Sequence, residues 1–163
     1  MFPATGKIRC GVRRPQSDQR WWMVLDCDTQ EISRYYRHLY WLDHSKQTKL
    51  QRPYWPAHVT VVRNEEPPNK ALWHSFAGEE VEFHYLPGVD TNFSPERFRS
   101  FYWVNVVCPR FEEIRVELGL PKNSDGIYHM TIGAIEVPAN RYTDPWCNRS
   151  TGNETVLHSE HEG

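Results

Sequence analysis

Residues 101–135 decide how this chain folds. They open with Phe101-Tyr-Trp-Val-Asn-Val-Val107, an aromatic and β-branched run that predicts a strand. Pro109 follows where the first turn of a helix tolerates proline, and Phe111, Ile114 and Leu118 recur at helical spacing until Gly119 stops them. Lys122 to Gly126 is a polar loop. His129-Met-Thr-Ile-Gly-Ala-Ile135 then reads as a second strand.

The same order occurs earlier. Trp21-Trp-Met-Val-Leu25 predicts a buried strand. Asp28 with Glu31 three residues on predicts a capping box, opening a helix to about Asp43 with Ile32, Tyr35, Tyr36, Leu39 and Leu42 on one stripe. A polar loop carrying Lys46, Lys49 and Arg52 closes on Pro53-Tyr-Trp-Pro56, and His58-Val-Thr-Val-Val62 is the next strand. Outside this repeat, residues 7–12 predict a short strand and 15–19 a loop. Asn69 caps a short helix through Phe76. Glu80–Tyr85 alternates as a strand with Val81, Phe83 and Tyr85 inward and His84 outward, and 87–97 reads as loop. Strands and helices mixed in this order predict an α+β fold.

Composition bounds the function. A chain of 163 residues is one domain, here 1–138 followed by a polar tail at 139–163. Seven Trp, eight Tyr and seven Phe exclude wholesale disorder. A net charge of -2 argues against clamping a long nucleic-acid duplex and for a small ligand or a short end. The longest apolar run, Trp21 to Leu25, is too short to span a membrane, and no stretch of leader length opens the chain. Four cysteines without a CxxC pair then read as reduced thiols, which predicts a cytoplasmic protein.

The chemistry lies in a coincidence of spacing. With 8 His and 9 Thr in 163 residues, the product of the counts over the length places Thr two after His about 0.4 times by chance. It occurs twice, at His58-Val-Thr60 and His129-Met-Thr131, each time in a predicted strand. Residues i and i+2 of a strand share a face, so each imidazole stands beside a hydroxyl while Val59, Val61, Met130 and Ile132 turn to the core. Two histidines titrating near neutrality can supply one base and one acid. Two threonine hydroxyls can donate to the non-bridging oxygens of a phosphate held between them. That set suffices to cleave a phosphodiester without metal or cofactor. A zinc site would need further ligands, and none has a recognisable spacing.

The two motifs, 71 residues apart on strands that each follow a helix, resemble the paired signatures of the two-histidine phosphoesterases, the superfamily of the LigT-like RNA cyclic phosphodiesterases. Both copies match the pattern of His, any residue, Thr or Ser, and an apolar residue. The order of elements is similar from about Trp21 to Glu136, roughly 70% of the chain. The resemblance implies a two-lobed fold of pseudo-symmetric halves, with a central cleft between two antiparallel sheets flanked by helices. It implies metal-independent cleavage of a cyclic or oligonucleotide phosphodiester by His58, His129, Thr60 and Thr131. Within that superfamily, small phage proteins that degrade cyclic di- and trinucleotide immune signals are similar in size. A phage protein of that kind would act in the host cytoplasm, and a 2′,3′-cyclic RNA end is an equally suitable substrate. Gly133, after the second motif, is not demanded by the pattern.

Aromatic and basic residues near the motifs are candidate substrate contacts. Tyr54 and Trp55 precede the first motif and Tyr128 the second, and aromatic faces stack on bases. Arg52 and Lys122, with Lys49 and Arg63, are placed to meet phosphates. A nucleotide-binding protein that sequesters its ligand uncleaved would use the same cleft.

Overall fold

The computed structural model describes residues 1–12, 20–44, 49–94 and 99–136. The predicted loop at 15–19 and the tail at 139–163 lie outside them. In chain order the elements are β1 (Phe2–Cys10), β2 (Trp22–Cys27), α1 (Glu31–Asp43), β3 (His58–Arg63), a 3-10 turn (Lys70–Leu72), β4 (Glu80–Tyr85), β5 (Asp90–Ser94), β6 (Arg99–Val107), α2 (Pro109–Glu117) and β7 (Ile127–Glu136). The fold is α+β. Both predicted strand–helix–strand units form, β2-α1-β3 and β6-α2-β7.

The strands are antiparallel in the order β4-β1-β2-β3-β7-β6-β5. β4 also pairs with β6 through His84↔Val107 and Tyr85↔Val106. Six strands therefore close a ring, where the resemblance implies two sheets. β4 covers only the Val106–Val107 end of β6, and the rest of that edge stays open to a further strand. The ring is narrowest where the two units meet, at the single pair Val59↔Met130 between β3 and β7.

One face of each of the six ring strands feeds a common core. Leu25, Val59, Phe83, Tyr85, Val104, Val106, Met130 and Ile132 are fully buried in it. Helix α2 adds Phe111, Ile114 and Leu118, the predicted stripe. Its end is a Schellman motif: Leu120 N–H donates to Arg115 O at 2.8 Å and Gly119 N–H to Val116 O at 2.9 Å. Gly119 takes the left-handed φ of 78° that the motif requires. Helix α1 buries Ser33 and Tyr36, whereas Tyr35 and Leu42 are exposed.

Other expectations need correction. No capping box forms. Gln30 is the residue before α1 and its side chain accepts from Ala57 N–H at 2.9 Å, while Asp28 accepts from Thr5 Oγ1 at 2.6 Å. The helix expected from Asn69 to Phe76 is a single 3-10 turn. The loop expected at 87–97 contains β5, which pairs with the outer edge of β6. No helix among the described residues is long and apolar enough to cross a membrane.

Candidate active site

The ladder assembles the two motifs on one face. β3 and β7 run antiparallel with Val59 opposite Met130, and both are core residues. The antiparallel register through that pair sets His58 toward Thr131 and Thr60 toward His129. All four point away from the core. Side chains directly opposite in such a ladder stand about 4.5–5.5 Å apart at Cβ, and diagonal ones about 7–8 Å. The histidines are diagonal, related by an approximate two-fold through Val59 and Met130. His58, Thr60 and Thr131 are half-buried and His129 is exposed.

The approximate symmetry extends to irregularities. β3 has a register shift against β2: Val24 pairs with Thr60 and Met23 with Val62, which leaves Val61 unpaired. β7 has the matching shift against β6: Trp103 pairs with Thr131 and Tyr102 with Gly133, which leaves Ile132 unpaired. In each motif the bulged residue is the one after threonine. A bulge re-aims the residues beyond it. Arg63, opposite Trp22, thereby shares the face of His58 and Thr60. Each bulged carbonyl is held by an arginine from a helix. Arg115 Nη1 donates to Val61 O at 3.0 Å, and Arg37 Nη1 donates to Ile132 O at 2.8 Å.

The strands outside the motif pair complete the face. Asp26 is opposite His58 and Asn105 opposite His129. Asp26 is occupied by Arg9, which donates from Nε at 2.5 Å and Nη2 at 2.8 Å. Asn105 accepts from Trp103 Nε1 at 3.2 Å and donates to Asp90 at 2.6 Å. Each imidazole has a tryptophan neighbour: Trp22 lies 6.5 Å from His58 and Trp103 lies 5.9 Å from His129, centroid to centroid. The motif spacing alone does not mark Trp22 or Trp103. The strand alternation that exposes the motif faces could have marked them, since both precede a helix in matching strands.

The two imidazoles differ in their surroundings. His58 Nδ1 lies 2.8 Å from Pro56 O. A carbonyl only accepts, so Nδ1 carries hydrogen, which in the neutral ring leaves the lone pair on Nε2. The pKa of His129 is pushed below its ordinary value of 6.5, first by the water its surroundings displace, then by the charges of His58 and Arg63. It keeps its solvent contact. That His129 feels both groups fits the diagonal placement across Val59–Met130.

The remaining candidates divide. Tyr54 (95% exposed), Trp55 and Trp22 form an aromatic series toward His58, with successive centroids 6.5 and 6.1 Å apart. Arg63 lies 5.9 Å over the Trp22 ring. Tyr128 is not at the site. It alternates with His129, so it faces the core at 6% exposure, against Phe111, and donates to Glu112 at 2.5 Å. Arg52 and Lys49 lie toward α1, Arg52 acting electrostatically on Arg37. Lys122 is exposed in the loop before β7 and no described contact joins it to the motifs. Among the described residues, no group of three or more His, Cys, Asp or Glu is placed to hold a metal ion. No family model, curated protein or solved structure matches the chain.

Proposed function

We propose that this protein is a metal-independent phosphodiesterase of the two-histidine, LigT-like kind, acting on a cyclic or short nucleotide phosphodiester. The observation that carries this reading is the diagonal His58–His129 pair, each imidazole beside the other motif's threonine, on one accessible face. The ring's division at Val59↔Met130 into β4-β1-β2-β3 and β7-β6-β5 supports the two-lobed description.

His129, with its lowered pKa, is neutral at pH 7 and takes a proton from the attacking water. Water oxygen bonds to phosphorus as the bond to the departing ribose oxygen breaks. His58, oriented by Pro56 through Nδ1, gives that oxygen a proton from Nε2. Thr60 and Thr131 donate to the non-bridging oxygens as negative charge builds there. Exchange with solvent then returns both histidines to their starting forms. Arg63 adds positive charge at the phosphate, and Tyr54 and Trp55, the latter seated on the buried Trp22, offer ring faces to a base.

The test is a substrate panel read by mass: a 2′,3′-cyclic mononucleotide, 2′–5′ oligoadenylate, and 3′–5′ cyclic di- and trinucleotides, each with EDTA present. Conversion of at least one, abolished in His129→Ala, is expected. Recovery of every compound intact after denaturing the protein overturns the enzymatic reading, and tight retention of one then defines a sequestering protein.

A further inference from the structure

Arg37 and Arg115 hold matching positions, but their charges are treated differently. The Arg115 guanidinium is met by Glu65, at 3.0 Å to Oε1 and 2.6 Å to Oε2, and this pairing raises its pKa. Among the described residues Arg37 has no carboxylate partner. Its Nη1 donates to Ser33 Oγ at 2.5 Å and to Ile132 O, and its charged neighbours are Arg52 and Arg34. Burial first, then those two like charges, lower its pKa. Among the described residues no ion pair offsets Arg34, Arg37, Lys49 or Arg52.

This charge borders a cavity of about 350 Å³ lined by Arg34, Arg37, His38, Trp41, Lys49 and Leu50. Its volume falls within the ordinary range of small-molecule sites. One part of the lining is cationic. The other is aromatic, the Trp41 and His38 rings lying 5.6 Å apart at 35°. The cavity is distinct from the paired histidines. Helix α1 packs on the core side of β6 and β7, with Tyr40 4.8 Å from Tyr102, while the motif side chains leave β7 on its other face.

We propose that this cavity binds a nucleoside di- or triphosphate, with its phosphates filling at Arg37 the place that Glu65 fills at Arg115. Guanidinium groups match phosphate oxygens in paired hydrogen bonds, and Lys49 adds a mobile ammonium. The base lies against Trp41. The site stands whether or not the histidine pair is catalytic.

Calorimetric titration with ADP and with inorganic pyrophosphate tests it on three proteins: wild type, Arg34→Glu/Lys49→Glu, and His58→Ala/His129→Ala. ADP is expected to bind wild type and the histidine variant alike. It is expected to bind roughly tenfold or more tighter than pyrophosphate, because stacking of the base adds to phosphate contact. The charge-reversed variant, with an unchanged melting temperature, should lose at least about tenfold. The proposal is overturned by absence of ADP binding, by equal binding in the charge-reversed variant, or by loss of binding in the histidine variant. Equal affinity for pyrophosphate overturns the nucleotide assignment.

Discussion

Arg37 and Arg115 are each the seventh residue of their helix, and each donates to the carbonyl after the threonine in the other unit's motif strand. The helix of one half thus fixes the bulge of the other. Arg115 is the more deeply committed, because its buried guanidinium also binds Glu65 and Pro121 O. Arg115→Met should cost about 2–4 kcal/mol of stability in urea unfolding, with Glu65's access to water holding the loss below that of a fully buried pair. A loss under about 0.5 kcal/mol, the scale of an ordinary surface change, would show that the anchor is incidental.

His58→Ala and His129→Ala should each lower kcat by about 10²–10⁴ and leave the fold intact, since both side chains point away from the core. The double variant should lose much less than the product, because in the proposed mechanism acid and base act in one step. Thr60→Val and Thr131→Val remove only a hydroxyl from a β-branched frame. Each should lower kcat by about 10²–10³, the effect of one lost oxyanion donor. Wild-type turnover by His58→Ala on a confirmed substrate would refute the mechanism.

In the proposed mechanism the pH dependence originates at His129. Its folded pKa lies below the ordinary 6.5, so above 6.5 the folded and unfolded forms are both neutral and no stability difference arises. As pH falls through 6.5 the unfolded chain takes up the proton first, so stability declines down to the folded pKa. His129→Gln should flatten that slope in a series of thermal melts. In kinetics, the acid limb of kcat/KM should lie below pH 6.5. Arg63→Gln removes one of the charges that depress the group, so the limb should move toward higher pH. A limb that stays in place would separate Arg63 from the base.

Much of this arrangement is legible in the sequence because its signals are local. Strand alternation places Val59 and Met130 inside and the four motif side chains outside, and the Phe111–Ile114–Leu118 stripe with Gly119 defines α2. The same alternation places Tyr128 inside, so nearness to His129 in sequence is the weaker guide. Pairing between distant segments leaves no such local mark. β5 begins two residues after Gly88 with polar Asp90, Thr91 and Asn92, and becomes a strand because β6 offers an open edge. The bulges at Val61 and Ile132 arise from register against β2 and β6. Arg37 and Arg115 read as ordinary helix-surface residues until the partner strands are in place.

Gly133 shows how tightly the second motif is held. Segment 50–52 runs against β7, with Gln51 N–H donating to Ala134 O at 2.8 Å and Ala134 N–H to Gln51 O at 3.1 Å. A Cβ on Gly133 would lie 2.8 Å from both Gln51 O and Leu50 Cβ. The first is backbone and the second the base of a buried side chain, so neither can swing aside. Gly133→Ala must therefore push segment 50–52 off the strand. Overpacking of this kind costs about 1–3 kcal/mol. Because Gly133 adjoins the bulge that sets Thr131, activity should fall with stability. An alanine variant with wild-type melting temperature and rate would show that the strand and the 50–52 segment separate freely in solution.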